Sequence, residues 1–397
     1  MKKLLQQGKI MVLLILVGQF FTAFVGRSLS PFMVYIGEDL ALTKVQLGLF
    51  PTALFIGQFL ATLPIGYYAD RVNTRKLMLV LMSVVASSFL VFAWMDNFYL
   101  AFIFILIAGL GYGGMHPVTN KLLVYEFPPS KLTVPMGVKQ MSITLASAAI
   151  SILLLPLVVF IGWRWAVTLA VFVLVIVCFI SSFYFSRLPW KEKPVQSTEP
   201  LWTQVKQLTK SKMLFFTNSS AFILMGVQIT FNTYLILFLI ETKDWTIYVA
   251  GLCLALSELC GAAGRVSWGV ISDRLFAGNR WLVLLGITLI STGSLMGLYF
   301  SQSTILIIIF IAFVGFALSG FNGIWMMLAV ESVDRSLSGF ASGYSVTVAS
   351  IGVFLIPPFF GYFVEQGGYL FASFFVMSLF FLCACLMIYA MRLFKAA

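Results

Sequence analysis

Twelve apolar runs, each about as long as a bilayer is thick, dominate this sequence. They fall near residues 10–36, 46–67, 77–95, 98–126, 136–160, 164–186, 213–240, 246–270, 281–300, 303–330, 338–362 and 369–391. A soluble domain carries about 25% charged residues, whereas here only 10% are charged and mean hydropathy is +1.02. No stretch is polar enough for a large aqueous domain. The loops between most runs are short, so neighbouring helices are expected to be antiparallel. The fold class is therefore all-α and integral to a membrane, with twelve crossings. The first run is too long for the core of a signal peptide and has no small-residue cleavage site, so it reads as a retained helix behind Lys2, Lys3 and Lys9.

Charge placement sets orientation. The net charge of +11 does not point to nucleic acid, because the basic residues are sorted by loop. With the N-terminus inside, 19 of the 25 Lys and Arg lie on the cytoplasmic side, with Lys44, Arg164 and Lys243 outside. That is the positive-inside bias of a multi-pass protein of the cell membrane, with both termini cytoplasmic. The expected residence is a bacterial inner or plasma membrane. The longest loop, 187–212, joins residues 1–186 to 213–397, each expected to form a six-helix bundle. Within it Leu201, Val205 and Leu208 recur at helical spacing beside Lys206, Lys210 and Lys212. This fits either an amphipathic helix on the inner leaflet or a solvated basic linker.

The halves echo each other. Gly66-Tyr67-Tyr68-Ala69-Asp70-Arg71-Val72-Asn73-Thr74-Arg75-Lys76 lies between two apolar runs. A weaker copy, Gly269-Val270-Ile271-Ser272-Asp273-Arg274 closing with Gly278-Asn279-Arg280, stands 203 residues later. Gly109-Leu110-Gly111 pairs with Gly315-Phe316-Ala317, and Gly162-Trp163-Arg164 with Gly367-Gly368-Tyr369. A repeat of this kind implies a secondary transporter whose substrate site lies between the repeats.

On these residues the chain resembles the major facilitator superfamily along essentially its whole length. The match to the family's signature loop is Gly66, Ala69, Asp70, Arg71 and Arg75-Lys76. Asn73 stands where a glycine is usual, and asparagine tolerates the left-handed geometry such a turn needs. The resemblance implies cytoplasmic gates at Gly66, Asp70, Arg71 and Arg75, and at Gly269, Asp273 and Arg274. In this picture an ion pair to a neighbouring helix of the other half shuts one state and breaks in the other. Two marks of drug/proton antiporters are missing. Ile105 stands where they carry an arginine four residues before Gly109, and Ala146–Ile150 replaces their glycine-rich stretch. A proton-coupled efflux pump for drugs or metabolites is thus the alternative on the same fold. Gly26-Arg27-Ser28-Leu29-Ser30 followed by Glu38-Asp39-Leu40 resembles the anion/cation symporters, whose arginine at the place of Arg27 engages substrate. Gly264-Arg265 is similar to the oxalate and monocarboxylate carriers. Phe127-Pro128-Pro129 to Met136-Gly137-Val138-Lys139-Gln140 is similar to these and to the cyanate and nitrate-type branches.

Ionisable residues inside the membrane are expensive and face a wet cavity or a partner. Four stand deep in the spans: Arg27, Lys139, Glu258 and Arg265, summing to +2, which favours an anion. Arg27 is too deep to reach the inner surface, Pro31 follows one turn on, and its planar fork matches carboxylate oxygens. The other reading of Arg27 is structural pairing to backbone carbonyls. Glu258 is placed to carry a proton or to hold a static pair with Lys139 or Arg27. Arg265, two turns on along the same face, serves substrate or the Asp273 gate. Lys139 and Gln140 either contact substrate or snorkel inward. His116, Asn232 and Asn322 could orient substrate or knit helices together.

The expected function is secondary active transport of a small organic or inorganic anion by alternating access. Proton-coupled symport into the cytoplasm is the simplest form, with the bilayer, the anion and protons as partners. A monomer is expected. No cofactor or metal is expected: His116 is the lone histidine, the five cysteines lie within apolar runs as packing residues, and no phosphate-binding glycine loop is present. The same lack of a catalytic constellation argues against an enzyme.

Overall fold

The computed structural model describes residues 2–69, 72–126, 133–187, 201–333 and 338–395. Among these, helices joined by short turns account for all regular structure. Ten helical runs are long and apolar enough to cross a membrane. Two of them, Val138–Arg187 and Phe340–Phe394, are 50 and 55 residues long, twice what one crossing needs. Each is broken by a glycine in left-handed geometry, Gly162 (φ 77°) and Gly368 (φ 72°). Only glycine adopts that backbone without strain. The twelve expected crossings therefore stand, and these two breaks sit at the repeat pair noted in the sequence.

The chain forms two compact units. One comprises Met1–Ser28 and Ala53–Glu199, the other Leu29–Thr52 and Pro200–Ala397. The stretch Leu29–Thr52, early in the sequence, thus packs with the second unit. Both edges of that stretch lie beside a proline, Pro31 and Pro51, where the helical hydrogen-bond ladder loses a donor.

In the first unit, α1 (Lys2–Gly26), the later part of α3 (Lys44–Ala69), α4 (Thr74–Ala93) and α5 (Phe98–Glu126) pack with α6 (Thr133–Ala149) and α7 (Leu155–Arg187). Glycine sets the α3–α5 crossing. A Cβ on Gly109 would lie 2.1 Å from the Leu54 carbonyl oxygen, and one on Gly57 would lie 2.1 Å from that of Leu106. Backbones meet there directly, as small residues allow in lipid. Asn73 is not left-handed as expected. Its backbone is extended (φ −61°, ψ 107°), and its side chain accepts the Lys76 N–H. It is an N-cap for α4, which satisfies an otherwise orphaned donor.

In the second unit, α2 (Leu29–Asp39) packs on α9 (Lys212–Lys243). The short helix α8 (Leu201–Leu208) occupies the place where helical spacing was read in the linker. Its last residue, Leu208, is buried with Leu214, Ala329 and Ala341, so this end is pinned to the unit. Then follow α10 (Ile247–Leu275), α11 (Arg280–Phe300), α12 (Thr304–Val314), a π-helical turn at Gly315–Ser319, α13 (Asn322–Glu331) and α14 (Ser338–Lys395). The π turn presses against α10: a Cβ on Gly315 would lie 2.2 Å from the Ser257 carbonyl oxygen, and one on Gly264 would lie 2.2 Å from that of Phe316. This close crossing is the second-unit counterpart of Gly57–Gly109.

Candidate functional site

In the first unit the candidate side chains gather along one face of α5. Arg27 sits in the two-residue break between α1 and α2. Pro31 supplies no N–H for the Arg27 carbonyl four residues back, which favours the break there. The Arg27 Nε donates to the Tyr112 hydroxyl at 3.3 Å, and the guanidinium lies 5.9 Å from the Phe55 ring. Tyr112 meets Phe55 and His116 edge-on, with centroids 6.4 and 6.0 Å away. Gly26 leaves room for this: a Cβ there would sit 2.7 Å from the Tyr112 ring. His116 and Asn120 continue the face at four-residue spacing. Lys139 on α6 is fully buried and donates to the Asn120 Oδ1 at 2.5 Å and to the His116 carbonyl at 3.1 Å. It does not snorkel. α6 begins at Thr133, so Lys139 lies nearly two turns in, deeper than the sequence suggested. Gln140 follows it, half-buried. In the sequence, the acidic residues of this unit (Asp70, Asp96, Glu126, Glu192 and Glu199) fall at the ends of the apolar runs or between them, whereas Arg27 and Lys139 fall well inside.

The second unit carries a different polar set. The Asn232 Nδ2 of α9 donates to the Glu258 Oε1 of α10 at 2.5 Å, and Glu258 is 1% exposed. The Asn322 Nδ2 donates to the Gln228 Oε1 at 3.3 Å and lies 3.4 Å from the Ser319 carbonyl oxygen. That same carbonyl accepts from the Arg265 Nε at 3.1 Å, while the Phe316 carbonyl accepts from the Trp268 Nε1 at 2.8 Å. A π turn shifts the helical ladder and releases carbonyls to side chains. Arg265 is thus seated by the bulge. Glu258 and Arg265 share a helix face, seven residues apart on α10.

The expected gate residues divide. Asp70 and Arg71 lie outside the described residues. Gly66 faces Pro117 at ordinary contact distance. Arg75 is buried at 6% exposure, its Nη1 donating to the Phe185 carbonyl at 3.0 Å and its guanidinium 5.6 Å from that residue's ring. In this structure Arg75 ties α4 to α7 inside its own unit. No atom comes near a Cβ built on Gly269, and Arg274 is exposed. Asp273 pairs with Arg280 of its own loop at 3.3 Å, and Arg280 holds Glu331 at 2.7 Å.

Three groups escaped the sequence reading. Tyr112 and Phe55 look like core aromatics until the Arg27 contact is seen. Charges at span ends also converge within the second unit: Lys44 pairs with Glu241, which accepts from the Tyr369 hydroxyl at 3.1 Å. Glu365 accepts the Val45 N–H at 2.9 Å, and the Tyr234 hydroxyl donates to the Lys44 carbonyl at 2.8 Å. Their only sequence signal was placement at helix ends on one side of the membrane.

The family model described as Major Facilitator Superfamily matches residues 15–357. The chain belongs to this superfamily. It is a multi-pass membrane transporter rather than an enzyme, and the relatives found for it are bacterial facilitators. It is 25% identical over 368 residues to a probable hexose phosphate transport protein of Chlamydia trachomatis, covering 84% of this chain and 80% of that protein. It is 23% identical over 381 residues to the probable sulfoacetate transporter SauU of Cupriavidus necator, covering 90% and 88%. A probable galactarate/D-glucarate transporter of Bacillus subtilis is 25% identical over 181 residues, covering 44% and 40%. Among solved structures, a bacterial homologue of the human lysosomal transporter Spinster, inward-facing and unoccupied, superposes with a TM-score of 0.79. That match covers 97% of each chain at 13% identity and bears on the fold alone.

Proposed function

We propose that this facilitator carries a small organic or inorganic anion by alternating access, coupled to protons as symport into the cytoplasm. The observation that carries this reading is the make-up of the first unit's apolar runs, which hold Arg27 and Lys139 well inside them and acidic residues only at or beyond their ends. Charge held in a low-dielectric interior is costly unless compensated. An anionic passenger supplies that compensation at the moment of binding. The relatives support the reading, since hexose phosphates, glucarate and sulfoacetate all carry phosphate, carboxylate or sulfonate groups.

In this proposal Arg27 is the principal anchor, its planar fork suited to an oxyanion and its orientation fixed by Tyr112 and Phe55. Arg265 is the corresponding cationic candidate of the second unit. His116, Asn322 and Gln140 orient the cargo, and Asn232 sets the Glu258 carboxyl that takes up and releases the proton. The Asp70 and Asp273 loops govern the cytoplasmic side. Residues 1–186 and 213–397 act as the two functional halves, joined by 187–212, in a monomer whose termini are both cytoplasmic.

Uptake into proteoliposomes tests this. Radiolabelled sulfoacetate, glucarate and glucose 6-phosphate are each offered with an inward proton gradient and without one. Accumulation of one of them, faster with the gradient, supports the proposal. Export of lipophilic dyes with no anion uptake would overturn it in favour of an efflux pump.

A further inference from the structure

We propose that Lys139 is a positioning residue that makes Asn120 a second oxyanion anchor on α5, so that the cargo is held at both ends and bears an acidic group at each. The inference rests on the anion reading above and adds the cargo's shape.

Lys139 is wholly buried, and among the described residues its partners are uncharged: the Asn120 Oδ1 at 2.5 Å and the His116 carbonyl at 3.1 Å. An ammonium has three donors and no acceptor, so only the oxygen of the Asn120 amide can face it. That fixes the amide. Its Nδ2 points the opposite way, and among the described residues this nitrogen meets no acceptor. Asn120 is half-buried, so the N–H pair is reachable while Lys139 itself is not. The neighbouring charge polarises the amide and strengthens its donors. A buried lysine with no carboxylate partner is a costly way to brace two helices, because an uncharged side chain would do it without the desolvation penalty. Orienting and polarising Asn120 gives the charge a use.

The second anchor stands at a set distance from the first. Tyr112, His116 and Asn120 lie one turn apart on a common face, with Arg27 at the Tyr112 end. Eight residues of helix span about 12 Å. A diacid long enough to reach both anchors is held at each end, whereas a monocarboxylate reaches only one of them.

The test is binding by the purified full chain, read as thermal shift against succinate, glutarate, adipate and butyrate. Wild type is expected to bind glutarate or adipate more tightly than butyrate. Asn120→Asp keeps the shape and gives Lys139 a carboxylate, but it removes both donors. It should lose about tenfold or more in affinity for the longer diacids, with butyrate unchanged. Lys139→Met should lose the same preference, and Lys139→Arg should restore part of it. A purely structural role would change stability without changing the diacid-to-butyrate ratio. If Asn120→Asp binds glutarate and adipate as wild type does, or if wild type does not prefer either to butyrate, the proposal is overturned. The anion reading then survives provided an acid binds and Arg27→Ala abolishes it. If no acid of any length binds wild type, both fall together.

Discussion

Arg27 holds its place through three neighbours of different chemistry: Tyr112 accepts its Nε hydrogen, Phe55 lies beside its guanidinium, and the break before α2 lets the side chain leave the helix. Arg27→Ala should abolish anion binding and uptake while the protein still reaches the membrane. Arg27→Lys keeps the charge but not the fork, so anion affinity should fall by about tenfold or more in a titration. Glu258→Gln should remove proton-driven accumulation in proteoliposomes and leave counterflow intact; accumulation that persists would remove Glu258 from the coupling role. Both residues were legible in the sequence because an ionisable group inside an apolar run is costly and stands out. Tyr112 and Phe55 were not, since an aromatic residue in a membrane helix looks the same whether it packs in the core or shapes a site. Lys139 was legible as a charge but not as a depth, because its depth depends on where α6 starts.

At the scale of elements, contact between backbones decides the architecture. Gly109 and Leu54 leave no room for a methyl group, with 2.1 Å to the carbonyl oxygen, whereas a Cβ on Gly286 of α11 meets nothing within 4 Å. Gly109→Ala should therefore lower thermal stability in detergent by about 1–3 kcal/mol through overpacking. Gly286→Ala should raise it by up to about 1 kcal/mol, because alanine is the better helix former. Equal effects at the two sites would contradict the packing account. The helix breaks at Gly162 and Gly368 could be anticipated, since each glycine falls in a gap between apolar runs and repeats at the same offset. The π turn at Gly315–Ser319 could not. Nothing in Gly-Phe-Ala-Leu-Ser distinguishes it from ordinary helix until the crossing with α10 is formed, and it is this turn that seats Arg265. The Asn73 cap was misread for a similar reason: an asparagine suits either a left-handed turn or an N-cap, and the helix that follows decides between them.

For the whole molecule, twelve crossings follow from apolar run length, which is written locally in the chain. The grouping of Leu29–Thr52 with the second unit is not local. It depends on contacts such as Thr52 with the Phe354 carbonyl at 3.0 Å, more than three hundred residues apart, which no run length or spacing encodes. Function was legible to the level of a membrane transporter, and the proposed anionic cargo rests on charge: positive residues well inside the spans outnumber the one acid there. The central claim is that these cations recruit an anionic cargo. The most direct measurement is thermal unfolding of purified wild type and Arg27→Ala with sulfoacetate, glucarate, glucose 6-phosphate and neutral glucose. A ligand at a hundred times its Kd adds about 2.7 kcal/mol to the folded state. The prediction is a rise in Tm of wild type with at least one of the anions, none with glucose, and no rise in Arg27→Ala. Stabilisation by glucose equal to that by glucose 6-phosphate, or an anion-induced rise that survives the loss of Arg27, would contradict the claim.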